Sequence, residues 1–230
     1  MTQLYLDSAN LEEIKEILEL NILEGVTTNQ KIFSREKGVN FEEHCKTILK
    51  MVKPFPVSIE GPNDADELLD LAWEYNRWGK NVVIKVPMLP GLDSIRILDD
   101  LDTYRIKTNA TACMDLSQIY LAAKAGADYI SLFYCRMKDQ WGKEYALTTI
   151  EKAQELINEM KDYRCDKPQL IIGSIRHPND VHEILALKPD IVTIPYKVLI
   201  NMSTNSVTEE VLRGFDKAWE EFKKHELPNV

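Results

Sequence analysis

Glycine is scarce in this chain, nine residues in 230, and no glycine-rich loop follows the first apolar run. That scarcity excludes the fingerprint by which open, doubly wound sheets cradle a dinucleotide pyrophosphate. Cysteine is scarcer still: Cys45, Cys113, Cys135 and Cys165 stand far apart with no C-x-x-C pairing. Reduced, mostly buried thiols are therefore expected, with neither a zinc site nor a dithiol redox motif. His177 and His182, the nearest histidine pair, diverge around a helix, so no metal and no cofactor is expected. Positive charge is also short, 28 Lys and Arg against 37 Asp and Glu for a formal net charge of -9. Such a surface has no basic stripe for phosphate backbones, which argues against a nucleic-acid partner. No apolar stretch reaches the length of a membrane span, and the N-terminal residues carry no signal-peptide charge pattern. The expectation is a cytoplasmic protein with no membrane partner.

What the chain does contain is Asn81-Val82-Val83-Ile84-Lys85-Val86-Pro87, a β-branched run with one lysine set into it. A run of this kind reads as a strand buried on both faces, where an ammonium must be paired, neutralised or used. Two readings are open: Lys85 reaches out to solvent at the strand end, or it is a desolvated amine of depressed pKa that attacks carbonyls.

Similar runs recur along the chain and alternate with helical patterns. Strands are predicted at Leu4–Asp7, Gly25–Asn29, Pro56–Glu60, Asn81–Pro87, Arg105–Asn109, Tyr129–Phe133, Gln169–Gly173 and Ile191–Ile194. Asn10 with Glu13 resembles a capping box, and Asp115 a cap for the helix that Gly126 ends. A polar loop is expected from Gln30 to Gly38 and another around Trp141-Gly142. Eight strand-helix alternations in 230 residues leave about 29 residues per unit, room for a strand, a helix and two short loops. The fold class predicted is α/β, a closed (β/α)8 TIM barrel forming a single domain over 1–230. Beyond the eighth unit, an additional C-terminal amphipathic helix over about 207–225 carries Val211, Leu212, Phe215, Trp219 and Phe222 on one side. That stripe either closes its own barrel or covers a neighbouring subunit.

Barrels of this type carry their chemistry at the C-terminal ends of the strands. Those ends read Asp7, Asn29, Glu60, Lys85, Asn109 with Thr111, then Arg136, and Ser174 with Arg176. One amine, two carboxylates, amides and hydroxyls suited to a sugar, and two arginines suited to an anion make one constellation. The chemistry that needs it is carbon–carbon cleavage or transfer on a phosphorylated ketose, in which a lysine iminium draws electrons from the neighbouring bond.

Leu6-Asp7-Ser8-Ala9-Asn10, Gly25-Val26-Thr27-Thr28-Asn29, Val57-Ser58-Ile59-Glu60, Val82 to Pro87, Thr108-Asn109-Ala110-Thr111, Ala122 to Ala127 and Ser174-Ile175-Arg176-His177-Pro178 occur in one order across the chain. Together they resemble the small-subunit transaldolases and the related fructose 6-phosphate aldolases. The resemblance implies Lys85 as Schiff-base lysine, Asp7 on a substrate hydroxyl proton, and Glu60 with Thr111 on a catalytic water. It further implies Asn29 and Asn109 on the hydroxyls of the three-carbon unit, and Arg136, Ser174 and Arg176 on phosphate. Glu60 and Phe133 are the transaldolase choices where the aldolases place glutamine and tyrosine. The partners implied are sugar phosphates and further copies of the chain, a homo-oligomer such as a decamer of two pentamers. Alternatives are cleavage that releases dihydroxyacetone, a variant acting on a sulfonated or longer-chain sugar, and a sugar-phosphate-binding barrel without turnover. Gln30 stands where the family usually has proline, and Gly173 where it has alanine.

Overall fold

The structure, a computed structural model, describes residues 1–160 and 167–226. Cys165 lies outside the described residues; Cys45, Cys113 and Cys135 are free thiols and all three are buried. Eight parallel strands pair in chain order and close on themselves: β1 (Gln3–Asp7), β2 (Gly25–Thr27), β3 (Val57–Glu60), β4 (Val82–Pro87), β5 (Thr108–Cys113), β6 (Tyr129–Phe133), β7 (Gln169–Gly173) and β8 (Ile191–Ile194). Surrounding them are α1 (Leu11–Glu19), α2 (Gln30–Phe33), α3 (Phe41–Val52), α4 (Ala65–Asn76), α5 (Asp93–Thr103), α6 (Leu116–Lys124), α7 (Tyr134–Trp141), α8 (Lys143–Glu159), α9 (Pro178–Leu185), α10 (Tyr196–Met202) and α11 (Ser206–Lys223). The fold is the predicted (β/α)8 TIM barrel with a C-terminal helix. Among the described residues no helix is long and apolar enough to cross a membrane.

Alternation along the strands sorts the core into two parts. Leu6, Ile84, Val86, Ile130, Ile172 and Val192 face outward into a cluster shared with the helices. Tyr5, Val83, Tyr129, Ile171 and Ile191 form a separate buried cluster, the plug inside the barrel. The plug constrains its neighbours: a Cβ on Gly25 would lie 2.5 Å from the Tyr5 ring, so glycine is what lets that ring turn inward.

Side-chain caps mark several helix starts. Asn10, Asn40, Asp64 and Asp115 accept backbone N–H groups at the heads of α1, α3, α4 and α6. The capping box expected at α1 forms by half: Asn10 caps the helix, but the Glu13 carboxylate takes the Ser8 hydroxyl, which itself accepts the Asn10 N–H.

Several local expectations need correction. Strand β5 begins at Thr108 rather than Arg105, because Arg105 turns to φ 59° and Ile106 donates back to Leu101, closing the end of α5. Asn29 is not a strand residue but the cap of α2, which occupies the stretch expected as loop. Helix α7 fills the segment between β6 and Gly142, and α10 follows Pro195 where no helix was expected.

Candidate active site

Two residues beyond each member of the apolar plug, the same inward faces carry Asp7, Lys85, Ser131, Gly173 and Thr193. A period of two therefore sets a polar layer on an apolar floor at the C-terminal mouth. This layer opens into a cavity of about 560 Å³, within the usual range for small-molecule sites. Its wall includes Asp7, Asn29, Glu60, Lys85, Phe133, Arg136, Ser174 and Arg176, so the structure brings eight of the ten candidate residues together.

Lys85 is 4 % exposed, and the solvent-reaching reading of its side chain is excluded. Its Nζ lies 2.7 Å from Glu60 Oε2 and donates to the Thr28 carbonyl at 2.9 Å. The contact follows from register, since Glu60 on β3 pairs with Lys85 on β4. Asp7 accepts from Thr27 Oγ1 at 2.8 Å, and Thr27 Oγ1 lies 2.6 Å from Thr193 Oγ1. Burial holds the Asp7 carboxyl above its ordinary range, against the pull of Lys85, the Thr27 hydrogen bond and Arg35; Glu60 adds to the rise.

Asn109 and Thr111 sit behind this wall. Asn109 is fully buried, donating to Ser58 Oγ at 3.1 Å and accepting from Ser131 Oγ at 2.8 Å, so Ser131 links it to the cavity. Thr111 is fully buried too, and its hydroxyl has no hydrogen-bond partner among the described residues. It precedes Ala112, whose φ of 59° marks the irregularity between Ala110 and Cys113 where β5 leaves the register of β6. Asn29 faces the cavity while its Oδ1 accepts the Ile32 N–H at 2.9 Å.

The anion-suited end is assembled by a carboxylate beneath it. Asp180, 3 % exposed on α9, accepts from Lys138 Nζ at 2.7 Å, Cys135 Sγ at 3.2 Å and the backbone N–H groups of Arg176 and His177 at 3.3 and 2.9 Å. It thereby ties α7, which carries Arg136, to the loop after β7, which carries Ser174 and Arg176. Burial alone would raise this carboxyl, yet Lys138, Cys135 and the Arg176 N–H together hold it below its ordinary value. Ser174 takes φ 60°, a left-handed turn at the strand end, and Arg176 Nη1 donates to Asp139 Oδ2 at 2.6 Å.

Thr27, Gln30, Lys31, Arg35, Ser131 and Thr193 also line the cavity and were not expected there. Ser131 and Thr193 carried a signal, the inward alternation from Tyr129 and Ile191. Lys31 and Arg35 carried none, because their approach depends on the α2 turn.

Fold and site define a (β/α)8 barrel whose mouth holds a buried amine in contact with a carboxylate. The family profile described as Transaldolase/Fructose-6-phosphate aldolase matches residues 4–228. A probable transaldolase of Nitrosopumilus maritimus is 35 % identical over 229 residues, covering 99 % of both chains. One from Aquifex aeolicus is 37 % identical over 217 residues, covering 94 % of this chain and 95 % of its own. The barrel is also similar to thiamine phosphate pyrophosphorylase from Pyrococcus furiosus, with a TM-score of 0.56 at 14 % identity over 84 % of this chain and 85 % of that one, a likeness of fold alone. The chain belongs to the transaldolase/fructose-6-phosphate aldolase family.

Proposed function

We propose that this chain is a transaldolase that moves a dihydroxyacetone unit from a ketose phosphate to an aldose phosphate through an iminium on Lys85. The observation that carries the reading is the 2.7 Å contact of the buried Lys85 ammonium with Glu60 inside the cavity. An amine must be neutral to attack a ketone, and Glu60 is in contact to take its proton. The Nζ lone pair then bonds to the keto carbon, whose oxygen departs as water to leave the iminium. Asp7 accepts the proton of the C4 hydroxyl, the C3–C4 bond breaks, and its electron pair passes into the iminium to give an enamine. The shortened aldose phosphate leaves. A second aldose phosphate then enters, the enamine carbon attacks its aldehyde, and Asp7 returns the proton to the new hydroxyl. Hydrolysis frees Lys85.

The remaining residues fit this sequence. The Thr111 hydroxyl, unpartnered among the described residues, is free to share a water with Glu60. Asn29 serves the donor hydroxyls directly and Asn109 through Ser131. Arg136, Ser174 and Arg176 take the phosphate, so that binding energy there aligns the reacting carbons. Phe133 brings no hydroxyl with which to protonate the enamine, which then waits for its acceptor. Lys31 and Arg35, two further cations on the wall, favour a second reading in which the sugar is longer or bears another anion, such as a sulfonate. The setting is cytoplasmic carbohydrate metabolism. All of α11 is exposed, including Phe215 and Trp219 on its apolar stripe, which supports a homo-oligomer in which α11 covers a second copy of the chain.

The test is partition of the donor. With fructose 6-phosphate, transfer to an added aldose phosphate outpaces release of free dihydroxyacetone; dominant release would assign the chain to the aldolase side.

A further inference from the structure

We infer that Thr193, on the strand that closes the barrel, is a positioning residue for Asp7 and acts on it through Thr27. The inference rests on the reading of Asp7 as the group that takes the C4 hydroxyl proton.

The three residues come from neighbouring strands, Thr27 on β2 and Thr193 on β8 with β1 and Asp7 between them. Thr27 and Thr193 are 2 % and 5 % exposed, so their hydroxyls depend on each other and on Asp7. A hydroxyl carries one proton. While Asp7 is ionised, Thr27 directs that proton to Asp7 Oδ1 at 2.8 Å, and the 2.6 Å contact with Thr193 must be a hydrogen bond that Thr193 donates. Donation into Thr27 polarises its O–H and strengthens the bond to the carboxylate. It also removes the competing arrangement in which Thr27 points its proton at Thr193 and leaves Asp7 Oδ1 bare. When Asp7 has taken a proton, the same chain can run in reverse, from Asp7 to Thr27 to Thr193. Both protonation states of the carboxyl are thus hydrogen-bonded without movement of a heavy atom.

The charged groups acting on Asp7 are Lys85 from β4, Glu60 from β3 and Arg35 from the segment after α2. Lys31, Arg136 and Arg176 share the cavity wall. None of these touches the Thr193 hydroxyl in a hydrogen bond, so a change there leaves the charges in place and alters only the chain that ends on Asp7. Burial makes the ionised carboxylate costly, and a polarised donor is what its ionised form needs.

The experiment is a set of pH profiles of kcat for transfer, in the wild type and in Thr193→Val, Thr193→Ser, Thr27→Val and the Thr27→Val/Thr193→Val double variant. Valine keeps the shape and removes the hydroxyl. Thr193→Val moves the acid limb to higher pH, with kcat on that limb lowered about threefold to tenfold and the KM for donor unchanged. Thr193→Ser returns the limb to its wild-type position. Thr27→Val moves it further, and the double variant moves it no more than Thr27→Val alone, because Thr193 acts through Thr27. An unmoved limb in Thr193→Val, a uniform loss across pH that serine does not repair, or additive shifts in the double variant would each overturn the inference. If Thr193→Val does not fold, additivity is read with Thr193→Ala instead. Borohydride trapping of wild-type enzyme with fructose 6-phosphate separates the two levels. Absence of a Lys85 adduct overturns the transaldolase reading itself, whereas trapping with unmoved profiles overturns only the role of Thr193.

Discussion

Glu60 Oε2 and Lys85 Nζ are 2.7 Å apart on register-paired residues of β3 and β4, with side chains 11 % and 5 % exposed. Removing one partner of a buried pair strands the other charge. Glu60→Gln is expected to lose about 3 kcal/mol of stability and to lower kcat about a hundredfold or more, as the amine loses its proton acceptor. Glu60→Gln/Lys85→Met recovers the stability and none of the activity. Chemical denaturation with steady-state rates checks both halves.

Asp7 gives the opposite stability result. Burial raises its folded-state pKa above the ordinary 3.8, despite Lys85 and Thr27. The native state therefore keeps this proton where the unfolded chain has lost it, and stability falls as pH rises from the unfolded value through the folded one. Asp7→Asn is expected to melt higher than wild type at pH near neutrality and to converge with it below the unfolded value. Its transfer activity is lost. Thermal melts across that range decide it; a variant less stable at neutral pH contradicts the assignment.

Asp180 separates binding from chemistry. Asp180→Ala frees the Arg176 and His177 N–H groups and Lys138, and is expected to cost about 2 kcal/mol of stability. In the wild type that contribution is present above the ordinary carboxylate pKa and is lost as pH falls through the lowered folded value. Loosening Arg136 and Arg176 raises KM for a phosphorylated donor about tenfold while leaving kcat within about threefold. A sugar without phosphate shows no such change.

Phe215 and Trp219 are 65 % and 57 % exposed on α11. On the proposal that α11 covers a second copy of the chain, replacing both with glutamate is expected to lower the mass measured by sedimentation while changing the intrinsic stability of the barrel by less than about 0.5 kcal/mol. Unchanged assembly size would assign the stripe another role.

The architecture was legible because buried parallel strands are apolar runs whose ends are sharp: β6, β7 and β8 match their expected bounds residue for residue. Lys85 was legible for the same reason, a charge inside a run that tolerates none. Helices α7 and α10 were not. Phe133 and Pro195 stand at their N-caps with no side-chain cap, and each helix starts directly at a strand end without the polar punctuation that announces a turn. The four-residue α2 is too short for any periodicity, so the approach of Lys31 and Arg35 to the cavity depends on a turn that local pattern does not encode. Nor does local pattern reveal the Asp7, Thr27 and Thr193 chain, because its Thr27–Thr193 link joins residues 166 apart through barrel closure.

The most direct measurement is borohydride reduction in the presence of fructose 6-phosphate, followed by peptide mass mapping. A stable three-carbon or hexose adduct on the peptide containing Lys85, absent from Lys85→Met, is the predicted result. An adduct on another lysine, or none with an enzyme that still turns over, would contradict the account.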